Sequence, residues 1–167
     1  MSKLLHLTNR LKAQASPEML TPSQSVALVD LEKRWQFPDR VNLCGPAGAG
    51  KTFLGWVLTR QYEARFFASP HALKQEQELY PRQIIVDNAP SEEKNLRHLL
   101  AELQLRQVRN AVLISQNPNN LGLPIVTLPS PTQKDIAKIY ENLNRLHFHS
   151  LESLDKENFW NIIYSVL

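Results

Sequence analysis

The sequence predicts an α/β fold in which a mostly parallel β-sheet carries helices on both faces. Three observations lead to this prediction. Short apolar runs alternate with helical patterns along the chain, residues 45–52 read GPAGAGKT, and the apolar residues 84–86 are followed by Asp87. Such alternation is typical of parallel sheets, because two neighbouring parallel strands need a long crossover connection, which is usually a helix.

The length and composition fit one globular domain. The chain has 167 residues, of which 43% are hydrophobic and 21% charged, and these values leave little room for a second domain. The formal net charge of +3 is compatible with contact to nucleic acid without requiring it. The single cysteine, Cys44, excludes an intramolecular disulfide and is expected to be a buried core residue. No apolar run reaches the roughly 20 residues that span a bilayer, and no signal-peptide pattern is present, so we expect a cytoplasmic protein without membrane contact.

The first predicted segment is an N-terminal arm, residues 1–20, in which leucines stand among basic residues. This pattern favours a frayed terminus or a strap packed on the domain over a partner-binding peptide. The nucleotide-binding core is predicted over residues 21–129. It opens with residues 21–24 (TPSQ), where a cap residue, a proline and a glutamine predict a helix that runs to about Trp35.

Residues 45–52 match the pattern G-x-x-x-x-G-K-[ST] of the phosphate-binding loop, or P-loop. A β-prone run at 40–44 precedes the loop and a helical pattern at 53–58 follows it, which is the context that the motif requires. The glycines let the backbone point its N–H groups at phosphate oxygens, Lys51 reaches the β- and γ-phosphates, and Thr52 places its hydroxyl on Mg²⁺. A glycine-rich turn that binds nothing is the alternative. The residues predicted to bind ATP or ADP are Gly45, Pro46, Ala47, Gly48, Ala49, Gly50, Lys51, Thr52 and Phe53.

The rest of the chain continues the alternation of strands and helices. The remaining strands are predicted at 64–68, 83–87, 111–115 and 124–128. Helices are predicted at 91–109, from 130 to about 146 and from about 155, with a short helix within 69–82. Residues 130–133 (SPTQ) repeat the arrangement of cap, proline and glutamine, so Ser130 is the predicted cap of the next helix. Residues 130–167 are predicted to form a short helical lid.

Asp87 ends the apolar run Ile84-Ile85-Val86, the pattern of a Walker B strand. A carboxylate at the end of a strand beside the P-loop can hold the Mg²⁺ shell, so Thr52 and Asp87 are the predicted metal residues. The alternative for Asp87 is a residue that caps the following loop.

The residues around this acid define the expected chemistry. Asn88 stands where many P-loop ATPases carry a glutamate; an amide can orient a water but cannot take its proton. Glu92 and Glu93 suit the first turn of a helix better than the role of a replacement base. Asn117 follows the next strand and could contact the γ-phosphate or the attacking water, with Ser115 as the competing candidate and a simple turn residue as the alternative. The predicted catalytic residues are Asp87, Asn88 and Asn117.

With its motifs in this order, the chain resembles the AAA+ ATPases, and among them the DnaA/Hda initiator group. The similarity covers about residues 20–145, and the segments that carry it are 22–30, 41–54, 84–88, 113–118, 120–124 and 128–131. The resemblance implies that residues 45–52 bind the triphosphate, that Asp87 assists Mg²⁺ and that Asn117 lies at the sensor-1 position. It also implies that ATP acts as an assembly switch at replication origins, clamps or mobile-element ends.

The sequence departs from that family at the positions that support fast hydrolysis. Residues 115–128 contain no Arg or Lys, so no arginine finger precedes the last strand, and Arg145 is a weak stand-in for a sensor-2 arginine. Arg97, Arg106 and Arg109 could serve a neighbouring molecule, but Glu93–Arg97 and Glu102–Arg106 spacing favours ion pairs on a solvated helix face.

Three functions remain open from the sequence. We expect slow hydrolysis and a switch that recruits a larger protein partner, with nucleic acid as a further partner, during DNA replication or a related DNA transaction. The alternatives are a P-loop adaptor that does not hydrolyse ATP and a small P-loop kinase. The oligomeric state is left open.

Overall fold

A computed structural model describes residues 3–76 and 82–146, with side chains from Leu7 onward. The sheet consists of β1 (Arg40–Cys44), β2 (Arg65–Phe67), β3 (Gln83–Val86), β4 (Asn110–Ser115) and β5 (Ile125–Thr127). The helices are α1 (Lys3–Gln14), α2 (Pro22–Trp35), α3 (Lys51–Gln61), α4 (Pro70–Gln75), α5 (Glu93–Leu105) and α6 (Gln133–Arg145), with a 3₁₀ turn at Pro17–Met19.

The five strands form one parallel sheet in the order β2-β3-β4-β1-β5. All predicted strands are present, each within two residues of its predicted bounds, so the predicted fold class is confirmed. The predicted helix over 91–109 is shorter than expected and ends at Leu105. Gln107 adopts a left-handed backbone with φ of 54°, and the N–H of Val108 donates to the carbonyl of Leu103 at 3.0 Å, which turns Val108 back into the core.

Two apolar layers cover the sheet. On one face, α1, α2, α3 and α6 pack on inward side chains such as Leu43, Ile85 and Val112. On the other face, α4 and α5 cover Ile84 and Leu113. Because the central strands are buried on both faces, they read in the sequence as continuous apolar runs rather than alternating ones.

The N-terminal arm is a helix that belongs to the core. Leu7 and Leu11 of α1 are 0% and 4% exposed and lie in the apolar cluster beneath α3. The guanidinium of Arg60, near the end of α3, donates to the carbonyl of Ala15 at 3.2 Å, just after α1 ends. Of the three interpretations of the arm, this packing fits the strap on the domain.

Two capping boxes begin α2 and α6, and one of them differs from the prediction. Thr21 and Gln24 form the predicted box at α2. At α6 the cap is Thr132 and not Ser130, with Asp135 as its partner. The carboxylate of Asp135 also accepts hydrogen bonds from the backbone N–H and the hydroxyl of Ser23 at 2.8 and 2.7 Å. This contact to α2 places the helix start two residues later than the local pattern indicates.

Cys44 is buried, as predicted. The predicted helix from about residue 155 lies outside the described residues, as does the part of the predicted lid beyond Leu146.

Candidate functional site: a phosphate-binding cleft at the carboxyl edge of the sheet

The P-loop lies at the carboxyl edge of the sheet, directly after β1 and before α3. β1 pairs with β4 on one side and with β5 on the other. The P-loop therefore lies beside the carboxyl ends of β4 and β5. Ligands of open parallel sheets bind in crevices at this edge, where the strand order reverses.

Glycines are needed at both ends of the loop. Gly45 has φ of +154°, and a Cβ at this position would lie 2.0 Å from the carbonyl oxygen of Leu128. Gly50 has φ of +84°, and a Cβ there would lie 2.3 Å from Nε2 of Gln24. Larger residues would strike Leu128 or Gln24 and would disfavour this backbone conformation, so these glycines fit a loop that turns its N–H groups toward an anion.

Lys51 is folded over the loop. Its ammonium donates to the carbonyls of Gly45 and Pro46, both at 2.6 Å, and the residue is 9% exposed. Burial lowers the pKa of Lys51, and the nearby carboxylate of Asp87 opposes that shift. The ammonium therefore lies within the loop, where a phosphate group would be cradled.

Thr52 and Asp87 meet at the floor of the site. The hydroxyl of Thr52 donates to Oδ2 of Asp87 at 2.7 Å, and Oδ1 of Asp87 accepts from the N–H of Asn88 at 2.8 Å. A hydroxyl and a carboxylate are hard oxygen ligands of the kind that Mg²⁺ uses together with substrate phosphates and water. The described residues contain no group of three or more His, Cys, Asp or Glu side chains that could hold a metal.

Asn88 lies beside the acid but its side chain points to another loop. Its backbone is left-handed, with φ of 52°, a conformation that Asn adopts more readily than most residues. Its amide donates to the carbonyl of Ala68, after β2, at 3.0 Å. The position therefore has a structural reason to be Asn, and an ordinary side chain there would be strained.

Ser115 and Asn117 both line the cleft. The hydroxyl of Ser115 donates to the backbone carbonyl of Asn117 at 2.6 Å and accepts from Nδ2 of Asn42 at 2.8 Å. Oδ1 of Asn42 accepts from the N–H of Asn119 at 2.9 Å. A buried polar network thus fixes the loop that carries Asn117.

The two glutamates after β3 lie at the amino end of α5, where the helix dipole favours acidic side chains. Glu92 is the N-cap residue of α5 and Glu93 lies in its first turn, and neither lines the cleft. The predicted ion pairs are present: Glu93–Arg97 at 2.6 Å and Glu102–Arg106 at 2.5 Å.

The cleft itself has a volume of about 430 Å³, within the range of small-molecule sites. The P-loop, the end of β3 and the end of β4 form its polar side. Thr8 and Leu11 of α1, with Phe53 and Trp56 of α3, form a less polar wall. The contribution of α1 could not be read from the sequence, because no motif marks Thr8 or Leu11.

Together, the sheet and the loop define a parallel α/β fold in which a P-loop connects the first strand to a helix. No protein-family model and no curated protein matches the sequence. A solved structure, described as that of a DNA replication initiation factor, is similar with a TM-score of 0.53 and 15% identity. The similarity covers 84% of this chain but only 57% of the other, so the chain spans little more than half the length of that protein. The relationship is one of fold.

Among the described helices, none combines the length and apolar character needed to cross a membrane.

Proposed function

We propose that this chain binds Mg·ATP and Mg·ADP in the cleft and acts as a nucleotide-dependent switch or adaptor in DNA replication or a related DNA transaction. The observation that carries the proposal is that Lys51 and the Thr52–Asp87 pair line the same cleft. An ammonium, a loop whose backbone depends on glycine, and two hard oxygen ligands lie together beside one cleft. Bound Mg·ATP would supply the phosphate charge and the cleavable phosphoanhydride that a switch needs.

The link to DNA replication is supported by the fold shared with a replication initiation factor. Because fold alone does not define function, nucleotide binding is the first property to test. Calorimetry should give micromolar dissociation constants for ATP and ADP in the presence of Mg²⁺, roughly 8 kcal/mol of binding free energy.

Lys51→Ala should abolish this binding, because it removes the cation that lies in the loop. Lys134→Ala is the matched control, since Lys134 is an exposed residue of α6 and does not line the cleft. Unchanged nucleotide affinity in the Lys51→Ala variant would exclude the assignment.

We further propose that hydrolysis is slow. Asn88 cannot act as a base, its amide is bonded to Ala68, and residues 115–128 supply no arginine. Steady-state turnover should stay well below the ~10 s⁻¹ typical of enzymes. Turnover at or above that value would contradict the proposal. Asn88→Glu tests the missing base directly, with Asn88→Gly as its control, because glycine accepts the left-handed backbone without adding a carboxylate.

An adaptor without hydrolysis is the second candidate, and the bond between Asn88 and Ala68 favours it. The two candidates differ in single-turnover experiments: a switch releases phosphate slowly, whereas an adaptor retains intact ATP. In both cases we propose a larger protein as the partner. Light scattering with ATP should show no stable hexamer of the isolated chain, and a stable ATP-dependent ring would contradict this part of the proposal.

A further inference from the structure

The amino edge of the sheet, opposite the P-loop, carries arginines at the starts of three neighbouring strands. Arg82 directly precedes β3, Arg109 directly precedes β4, and Arg40 is the first residue of β1. β3, β4 and β1 are consecutive in the sheet. Because the strands are parallel, their starts share one edge. We call Arg40, Arg82 and Arg109 the arginine row.

Two hydrogen bonds show that the starts of these strands are adjacent. The backbone N–H of Arg109 donates to the carbonyl of Arg82 at 2.8 Å, and the guanidinium Nη2 of Arg40 donates to the carbonyl of Val108 at 3.1 Å. Neighbouring strands lie about 4.8 Å apart, so the row spans about 10 Å. Because arginine side chains are long, three of them over this length can each contact one phosphate of a duplex.

The row keeps an excess of positive charge. Arg82 and Arg109 are exposed, and no hydrogen bond or ion pair to a described residue engages either guanidinium. The acid next to Arg40 in sequence, Asp39, lies 3.9 Å from Arg34, so its charge is shared with an arginine outside the row.

The chemistry of the row favours the backbone of a duplex. Guanidinium groups match phosphate oxygens in geometry and charge. Sites for single strands instead stack successive bases on aromatic side chains. Within three sequence positions of the row, the aromatic residues are Phe37 and Tyr80, and none stands that close to Arg109, so no succession of aromatic residues accompanies the row.

We propose that the arginine row binds the sugar–phosphate backbone of duplex DNA without reading its sequence. The choice of DNA as the ligand rests on the proposed function, which links this chain to a DNA transaction. The surface itself lies at the opposite edge of the sheet from the nucleotide cleft, so the two sites can be tested separately.

The test is fluorescence anisotropy with a labelled 20-base-pair duplex of mixed sequence, between 50 and 200 mM NaCl. Three phosphate contacts predict a slope of about −3 for the logarithm of the binding constant against the logarithm of salt concentration. The double variant Arg82→Gln/Arg109→Gln should reduce the slope to about −1 and weaken binding at least ~10-fold at 50 mM salt.

Lys94→Gln/Lys134→Gln is the matched control. It also removes two positive charges from exposed side chains, in the first turns of α5 and α6. These helices begin after β3 and β5 at the carboxyl edge of the sheet, so this variant should bind DNA as the parent protein does. Circular dichroism of all variants checks that the fold is retained.

The outcomes separate this proposal from the nucleotide proposal. The double variant should keep the ATP affinity of the parent protein. The Lys51→Ala variant should keep the DNA affinity of the parent protein, even if the parent protein itself does not bind ATP. An unchanged salt slope in the double variant would overturn the proposal. Three other results would also overturn it. The parent protein could fail to bind the duplex at 50 mM salt, or it could prefer a single strand with the same number of phosphates. A polyglutamate peptide of matched charge could also compete as well as the duplex does.

Discussion

The carboxylate of Asp135 gives a stability prediction whose size and pH dependence follow from its contacts. The residue is 1% exposed, and burial alone would raise its pKa. Hydrogen bonds from the hydroxyl and N–H of Thr132 and from the N–H and hydroxyl of Ser23 outweigh burial and lower the pKa of Asp135 from 3.8 to about 2. The folded protein therefore prefers the charged form more strongly than the unfolded chain does.

The sign and size of the effect follow from linkage. A carboxyl whose pKa is depressed by folding contributes stability above its unfolded pKa of 3.8, and this contribution is lost as the pH falls through the folded pKa of about 2. The difference between the two values, at about 1.36 kcal/mol per pH unit, is about 2 kcal/mol. Nearly all of it should be present at pH 5, and about half of it at pH 3.

Asp135→Asn should reduce the free energy of unfolding by about 3 kcal/mol at pH 7, because an amide NH₂ would face donors that now bond to a carboxylate. Urea unfolding followed by circular dichroism at 222 nm, at pH 7, 5 and 3, measures the difference between parent and variant. That difference should shrink by about 1 kcal/mol between pH 5 and pH 3. Asp30→Asn is the control, since Asp30 is exposed and pairs only with the exposed Lys33; it should change stability by less than about 0.5 kcal/mol. A pH-independent difference, or an Asp135→Asn variant as stable as the parent, would refute the reasoning.

Three further predictions concern the supports of the cleft. Gly50→Ala should cost about 1–2 kcal/mol of stability in urea unfolding and weaken ATP binding in calorimetry, because alanine disfavours φ of +84° and its Cβ would strike Gln24; full ATP affinity would contradict this. Asn42→Leu should cost about 2–3 kcal/mol, since it removes the acceptor of the buried Asn119 N–H and one of the two hydrogen bonds of Ser115; a neutral effect in urea unfolding would show that the network can be replaced. Leu7→Ala should cost about 2–4 kcal/mol, because Leu7 is fully buried, and a negligible loss in the same assay would show that α1 is not part of the cooperative core.

The elements that the sequence predicted well are those whose signals are local. The P-loop and the strand ending in Asp87 each carry a short pattern of residues, and the described structure brings Thr52 and Asp87 to 2.7 Å from each other. The cap of α2 is equally local, since Thr21 and Gln24 satisfy each other. Patterns of this kind depend little on the rest of the fold.

The predictions that failed depend on contacts between distant parts of the chain. Ser130 was expected to cap α6, but the cap is Thr132, because Asp135 binds both Thr132 and Ser23, which is 112 residues away in sequence. The network of Asn42 was also missed. A polar residue in the middle of an apolar strand was the available signal, yet its partners on β4 and in the following loop were unknown.

The same distant contacts bear on the site, because the amino end of α2 contacts both the P-loop and α6. Nε2 of Gln24 donates to the carbonyl of Gly50 at 3.1 Å, while its Oε1 accepts from the N–H of Thr21 at 2.9 Å. One residue away, Ser23 is bonded to Asp135 at the start of α6. Since Gln24 is 2% exposed and its amide is bonded at both ends, a shift of Gly50 requires either a broken buried hydrogen bond or a movement of α2. A movement of α2 would in turn strain the contact with α6. The backbone of the P-loop and the position of α6 are therefore mechanically linked through two adjacent residues of one helix turn, a link that lies outside the P-loop motif and depends on the fold.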